Sequence, residues 1–200
     1  MSSNPMDMYW LNLMISSRDS VLTLISLVFN YSLNVISALF FVLAAYYYFY
    51  ERATKKAIFV LAVFSIRMLL VEGLKFSVQR QRPPLADRLV HASGYSFPSG
   101  HTATMTCFVV MLSLLYPKLW IKVTGVVLAL TMAWSRTYVA AHWLSDVLAG
   151  LLCGVLSTYL AYYLVNRYYQ AGVSIHSAST AAGRPGRGHK KEPLNVENQD

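Results

Sequence analysis

Ser135-Arg136-Thr137-Tyr138-Val139-Ala140-Ala141-His142-Trp143-Leu144-Ser145-Asp146 sets an arginine, a histidine and an aspartate into an otherwise apolar second half of the chain. Ionisable groups at membrane depth are costly and tend to mark sites, so the three together require a chemical explanation. His142 and Asp146 are four residues apart. On a helix they share a face, where the carboxylate can accept the imidazole N–H and orient the ring. A histidine held in this way can serve as a base or as a nucleophile.

The surroundings are those of a membrane protein. Of the 200 residues 56% are hydrophobic and the mean hydropathy is +0.42, too apolar for an ordinary soluble domain. Nearly charge-free runs cover 21–50, 57–74, 102–116, 123–135 and 147–166. With flanking residues each approaches the ~20 that a helix needs to cross a hydrocarbon core. The expectation is an all-α, polytopic membrane helix bundle with five or six spans and an active site at one membrane face.

The first run is too long for one upright crossing and too short for two. We read residues 1–32 as an interfacial N-terminal helix region, in which Met6–Asn30 lies on the membrane with Tyr9 and Trp10 at headgroup level. Leu33–Tyr50 is then the first span. The alternative, a single helix over 6–30 that crosses, has to carry Arg18 and Asp19 through the bilayer. Residues 33–170 form the transmembrane domain, and the Ala/Gly/Ser-rich, then charged stretch 171–200 is expected to be a disordered cytoplasmic tail. The N-terminus lacks the basic region of a cleavable signal peptide.

The net charge is +8, but the basic residues flank the apolar runs instead of gathering with stacking aromatics, which argues against nucleic acid as a partner. Arg52, Lys55, Lys56, Lys118, Lys122, Arg167 and the basic residues of the tail fall on one side of a five-span arrangement, cytoplasmic by the positive-inside rule. Arg80, Arg82 and Arg88 fall on the other side and need a ligand or a carboxylate to justify them. Cys107 and Cys153 lack metal-ligand spacing and read as packing residues, with no disulfide.

Three further stretches bear on the chemistry. Arg67 and Glu72 stand in the second span, where an ion pair of Glu72 with Lys75 or Arg67 is the plain reading and a catalytic Glu72 the alternative. A helix continued from Lys75 to Arg82 turns through roughly 700°, returning both cations to one face before Pro83-Pro84 ends it. Such a pair suits an anion, either a substrate or a lipid headgroup. Pro98-Ser99-Gly100-His101 opens the next apolar helix. It is an N-cap at the least, but a helix start also offers unpaired N–H groups to a phosphate, and His101 can donate a proton to a leaving oxygen. His91, alone in a loop, reads as solvated. Counting crossings brings Lys75, Arg82, His101, Arg136 and His142 to the same face. Gly150 and Gly154 form a small-xxx-small pattern, read as packing within the bundle.

Lys75-x6-Arg82-Pro83, Pro98-Ser99-Gly100-His101 and Ser135-Arg136-x5-His142-x3-Asp146 together resemble the signature of the type 2 phosphatidic acid phosphatase superfamily at every defining position. The resemblance spans Lys75 to Asp146. It implies that His142 attacks phosphorus to form a phosphohistidine with Asp146 orienting it, and that His101 protonates the departing oxygen. Lys75, Arg82, Ser99, Gly100 and Arg136 would hold the nonbridging oxygens. It implies no metal and no cofactor. The partner is a membrane lipid substrate, with undecaprenyl diphosphate favoured and phosphatidate or phosphatidylglycerol phosphate next. Gly100 stands where many bacterial undecaprenyl diphosphate phosphatases have Asp, although glycine also occurs among broad-range lipid phosphatases. The implied location is the bacterial inner membrane, with the site on the extracytoplasmic face. Transfer of the phosphoryl group to a second lipid, or nonenzymatic binding of anionic lipids, are the alternatives. The second leaves His101, His142 and Asp146 without a use.

Overall fold

Six α-helices account for most of the described chain in the computed structural model, which describes residues 4–182, with side chains for residues 4–171. They are α1 (Pro5–Ser16), α2 (Ser20–Ala45), α3 (Thr54–Val78), α4 (Gly100–Leu115), α5 (Leu119–Tyr138) and α6 (Leu144–Ala182), and a π-helical turn, Tyr46–Tyr50, prolongs α2. Met1–Asn166 forms one unit and carries the site; a second unit begins at Arg167. The stretches Ser20–Tyr50, Thr54–Val78 and Leu144–Ala171 are long and apolar enough to cross a membrane, and α4 is a shorter apolar helix.

The N-terminal run divides earlier than its hydropathy suggests. Asp19 caps α2, its carboxylate accepting from Val21 N at 2.8 Å and Leu22 N at 3.0 Å, so a helix starts at Ser20 and meets no breaker before Tyr50. It runs straight through residue 32, and neither the division expected there nor a 6–30 helix forms. Arg18 is used at the turn, donating to the carbonyls of Asp87 at 2.7 Å and Tyr138 at 3.0 Å. Trp10 is tied to the bundle. Its indole N–H donates to Thr137 Oγ1 at 3.1 Å, because α1 lies against the α5–α6 connection. There Leu11 packs on Ala140 and Trp143, and Met14 on Tyr138, Val139 and Ala141.

α3 stops at Val78, with Gln79 left-handed (φ 49°) at its C-cap, and so does not reach Arg82 as expected. Arg82 precedes a proline and is disfavoured in helical conformation, and the early stop frees Arg80 and Arg82 to turn into the bundle. Between α3 and α4, Ser96 N donates to the carbonyl of Arg80 at 2.9 Å, which closes the loop on itself. In the interior Phe40 (α2) meets Phe64 (α3) and Phe108 (α4) at ring separations of 5.4 and 5.3 Å.

α6 packs on α4 through its two glycines. A Cβ at Gly150 would lie 2.7 Å from the carbonyl oxygen of Ser99, and one at Gly154 would lie 2.5 Å from Thr106 Cβ. Only glycine permits that approach. Cys107 and Cys153 are free and buried. The backbone from Ala171 to Ala182 is helical instead of the disordered chain expected. The remainder of the expected tail, 183–200, lies outside the described residues.

Candidate active site

A cavity of about 410 Å³ opens among α2, α3, the start of α4 and the two loops that follow α3 and α5. Lys75, Arg82, Gly100, His101, Arg136 and His142 all line it. Each comes from a helix end or a loop. Lys75 is in the last turn of α3, Gly100 and His101 open α4, Arg136 closes α5, and His142 stands in the turn before α6.

His142 is almost completely buried, at 3% exposure. Its Nδ1 lies 2.8 Å from the carbonyl of Ser96 and its Nε2 lies 3.1 Å from Arg82 Nη1. A carbonyl only accepts and a guanidinium only donates, so the ring is neutral, with the proton on Nδ1 and a lone pair on Nε2. Burial pushes its pKa down to about 4. Asp146 pulls it up, and the charges of Arg136 and Arg82 push it down further. The turn that presents the ring is tight, with Ala140 in the left-handed region at φ 53°.

Asp146 lies behind the ring, not in the cavity. Its Oδ2 is 3.6 Å from His142 Nδ1, beyond hydrogen-bond range, and accepts instead from Trp143 N at 2.9 Å. That contact is one half of a capping box, from the third helical residue back to the N-cap. Oδ1 pairs with Arg80 at 2.7 Å. The imidazole Nδ1 thus bonds to the Ser96 carbonyl, with the Asp146 carboxylate expected from the four-residue spacing next to it at 3.6 Å. Arg80 bridges Asp146 to a second buried carboxylate, Asp7 of α1, at 2.6 Å. Asp7 also accepts from Ser145 N at 2.9 Å. Burial works to raise the Asp7 carboxyl, but its Ser145 and Arg80 donors outweigh that and hold it below the usual carboxylate range.

Arg82 spends all five donors: on the carbonyls of Gly94, Ser93, Tyr95 and Ala141 at 2.8–3.1 Å, and on His142 Nε2. Arg136 donates to Asn30 Oδ1, and its Nε has no partner among the described residues, which leaves a buried donor for an anion. Lys75 pairs with Glu72 at 2.9 Å and lies over the start of α4, its Nζ 3.8 Å from where a Cβ of Gly100 would be. His101 Nε2 donates to the carbonyl of Asn30 at 3.1 Å. Ser99 does not face the cavity. It is fully buried and caps α4, its Oγ accepting from Thr102 N at 3.5 Å and also from Thr102 Oγ1 at 3.0 Å.

Asn30, Asn34, Ser37 and Asp7, which the sequence did not single out, belong to this region, together with Arg67, His91 and Arg80, which it had not assigned to the site. Asn30, Asn34 and Ser37 recur at helical spacing along α2 and line the cavity, as do Arg67 and His91. Asp7 and Arg80 form the ion pairs behind it. A polar stripe at intervals of four and three in an otherwise apolar helix was the available signal for the α2 group. Arg88, like Arg82, finds carbonyls, those of Pro83 and Ala92. Among the described residues no cluster of His, Cys, Asp and Glu is placed to hold a metal ion.

Fold and site together define a helical membrane protein with a cation-lined cavity built around a neutral histidine. The chain belongs to the PAP2 superfamily, whose profile matches residues 56–170. It is similar to phosphatidylglycerophosphatase B of Bacillus subtilis (strain 168), 33% identical over 121 residues that cover 56% of this chain and 59% of that protein. It is similar also to the undecaprenyl-diphosphatase of Sulfolobus acidocaldarius, 32% identical over 117 residues that cover 56% of each. The chain thus spans less than two thirds of the length of these relatives. In three dimensions it matches the crystal structure of a transmembrane PAP2 type phosphatidylglycerolphosphate phosphatase from Bacillus subtilis, with a TM-score of 0.67 at 27% identity, over 80% of this chain and 85% of that one.

Proposed function

We propose that this protein hydrolyses a lipid phosphate or diphosphate without a metal, through a phosphohistidine on His142, at the extracytoplasmic face of a bacterial inner membrane. The observation that carries this reading is the tautomer of His142, whose Nε2 lone pair lies in a cavity lined by cations. Nε2 attacks phosphorus, the bond to the lipid oxygen breaks, and His101, doubly protonated once the phosphate is bound, gives its second proton to that oxygen and later takes one back from the attacking water. Water then attacks the phosphohistidine, releasing phosphate and restoring both histidines. Arg136, Lys75 and the N–H groups at the start of α4 take up the charge that develops on the nonbridging oxygens.

In the free site the Arg82–His142 hydrogen bond occupies that lone pair, so a phosphate entering the cavity replaces it and gives Arg82 an oxygen to bind instead. The five helices α2–α6 are read as five crossings, which places the basic loops and the C-terminus in the cytoplasm. The similarity to both a phosphatidylglycerophosphatase and an undecaprenyl-diphosphatase supports a lipid carrying a terminal phosphate.

The test is phosphate release by detergent-purified protein in EDTA from undecaprenyl diphosphate, phosphatidylglycerol phosphate and phosphatidate, for wild type and His142→Ala. Turnover that survives chelation and vanishes in the variant is expected. Activity abolished by EDTA, or retained by a well-folded His142→Ala, overturns the reading.

A further inference from the structure

Arg67 stands apart from the cations of the three motifs. It lies in the middle of α3, eight residues and about 12 Å of helix rise from Lys75, yet it lines the same cavity. It is 94% buried, given an exposure of 6%. Among the described residues nothing accepts a hydrogen bond from it; its guanidinium carbon lies 4.9 Å from the centre of the Phe64 ring, and it feels the charge of Glu72 without bonding to it. A buried guanidinium with unspent donors is expensive unless an acceptor comes to it.

The charge inventory of the cavity points the same way. Of its cations, Lys75 is matched by Glu72 and Arg82 has its donors engaged by carbonyls and His142, while Arg136 has a free Nε. One phosphate beside His142 accounts for Arg136 and leaves Arg67 with no bonded acceptor, since the nearby Glu72 is bonded to Lys75. Asn34 and Ser37 continue the polar stripe of α2 below Asn30, which touches both His101 and Arg136. The cavity therefore runs from the nucleophile, past the proton donor, to a second patch of donors at Arg67, Asn34 and Ser37.

We propose that Arg67, with Asn34 and Ser37, forms a second anion subsite that binds the inner phosphate of a lipid diphosphate while its terminal phosphate meets His142. This rests on the phosphatase reading above and narrows its substrate class. His142 Nε2 bonds to the terminal phosphorus and the bond from that phosphorus to the bridging oxygen breaks. The bridging oxygen stays on the inner phosphate and takes its proton from His101. The lipid monophosphate so formed departs from Arg67. Arg67 discriminates between substrates and takes no part in the attack.

The experiment compares farnesyl diphosphate with farnesyl monophosphate, which share a tail. Turnover is measured in wild type, Arg67→Gln and Arg67→Lys, alongside calorimetric binding of farnesyl methylenediphosphonate and farnesyl phosphonate, which are not hydrolysed at the bridging position. Loss of hydrogen bonds to a charged group predicts that Arg67→Gln weakens diphosphonate binding, and lowers kcat/KM for the diphosphate, about 10- to 100-fold. Binding of the monophosphonate and turnover of the monophosphate should change less than about threefold, and Arg67→Lys should keep most of the preference. Equal losses for both ligands, or none, overturn the subsite. A wild type that turns over neither lipid sinks the phosphatase reading, while diphosphonate binding that still depends on Arg67 upholds the subsite. If Arg67→Gln fails to fold, Arg67→Lys and Asn34→Ala are compared on the same ligand pair; a selective loss with Asn34→Ala supports the subsite, and equal effects on both ligands reject it.

Discussion

Arg80, not His142, holds the carboxylate of Asp146: Nη1 and Oδ1 are 2.7 Å apart, whereas the imidazole Nδ1 stands 3.6 Å from the other oxygen. The tautomer of the imidazole is set by a backbone carbonyl, that of Ser96. In serine-protease triads, where the carboxylate itself fixes the tautomer, replacing it by an amide costs about 10⁴ in kcat. We predict that Asp146→Asn here costs well under 10³-fold, and less than His142→Ala. Single-turnover rates and acid-quench trapping of the phosphoenzyme check this; a loss equal to that of His142→Ala would show the carboxylate to be indispensable.

Asp7 neutralises Arg80 from the N-terminal helix and caps α6 through Ser145. Asp7→Ala leaves a largely buried guanidinium with one carboxylate in place of two and removes the cap, at an expected cost of about 3 kcal/mol. Asp7→Asn, whose amide oxygen still accepts from Ser145, costs less. Unfolding midpoints in a detergent–SDS titration should rank wild type above Asp7→Asn above Asp7→Ala.

The folded pKa of His142, about 4, lies below the roughly 6.5 of a free imidazole. Between these values the unfolded chain binds more protons. The contribution of the neutral ring to stability is therefore whole above about pH 6.5 and is lost as pH falls towards 4. The stability advantage of wild type over His142→Gln should shrink between pH 7 and pH 4.5. A difference that is flat across this range contradicts the neutral, buried ring.

The two glycines of α6 meet different parts of α4. A methyl at Gly154 would strike Thr106 and the carbonyl of Ala103 in mid-helix, whereas one at Gly150 would strike the carbonyl of Ser99, next to Gly100 and His101. Both alanine variants should lose about 1–3 kcal/mol of stability. Gly150→Ala should also lose activity beyond its loss of stability, because the start of α4 shifts within the site. Phosphate release at a temperature well below both unfolding midpoints separates the two effects.

Arg82 binds the carbonyls of Ser93, Gly94 and Tyr95 as well as Ala141 and His142. Lysine keeps the charge but has three donors on a flexible stem. Arg82→Lys is expected to lower kcat by about 10²–10³-fold, the usual range for losing a preorganised donor. Steady-state kinetics on whichever lipid the wild type hydrolyses checks this.

The sequence by itself determined the all-α class, the apolar helices and the residues that line the cavity at helix ends, because hydropathy, prolines and motif spacing are local properties. Lys75, Arg82, Gly100, His101, Arg136 and His142 were all legible in this way. Only the tertiary structure decided what each of them touches. The start of α2 at Ser20 turned on a cap by Asp19, and the end of α3 on a left-handed Gln79, both weaker signals than the long apolar run and the double proline. The partner of His142 is a backbone carbonyl 46 residues away in sequence, and no side-chain spacing encodes a main-chain acceptor. Asp7 reaches Ser145 across 138 residues, and Arg67 enters the cavity only because α2 and α3 pack with their polar faces toward it. Contacts of that range arise from packing, which local pattern cannot specify.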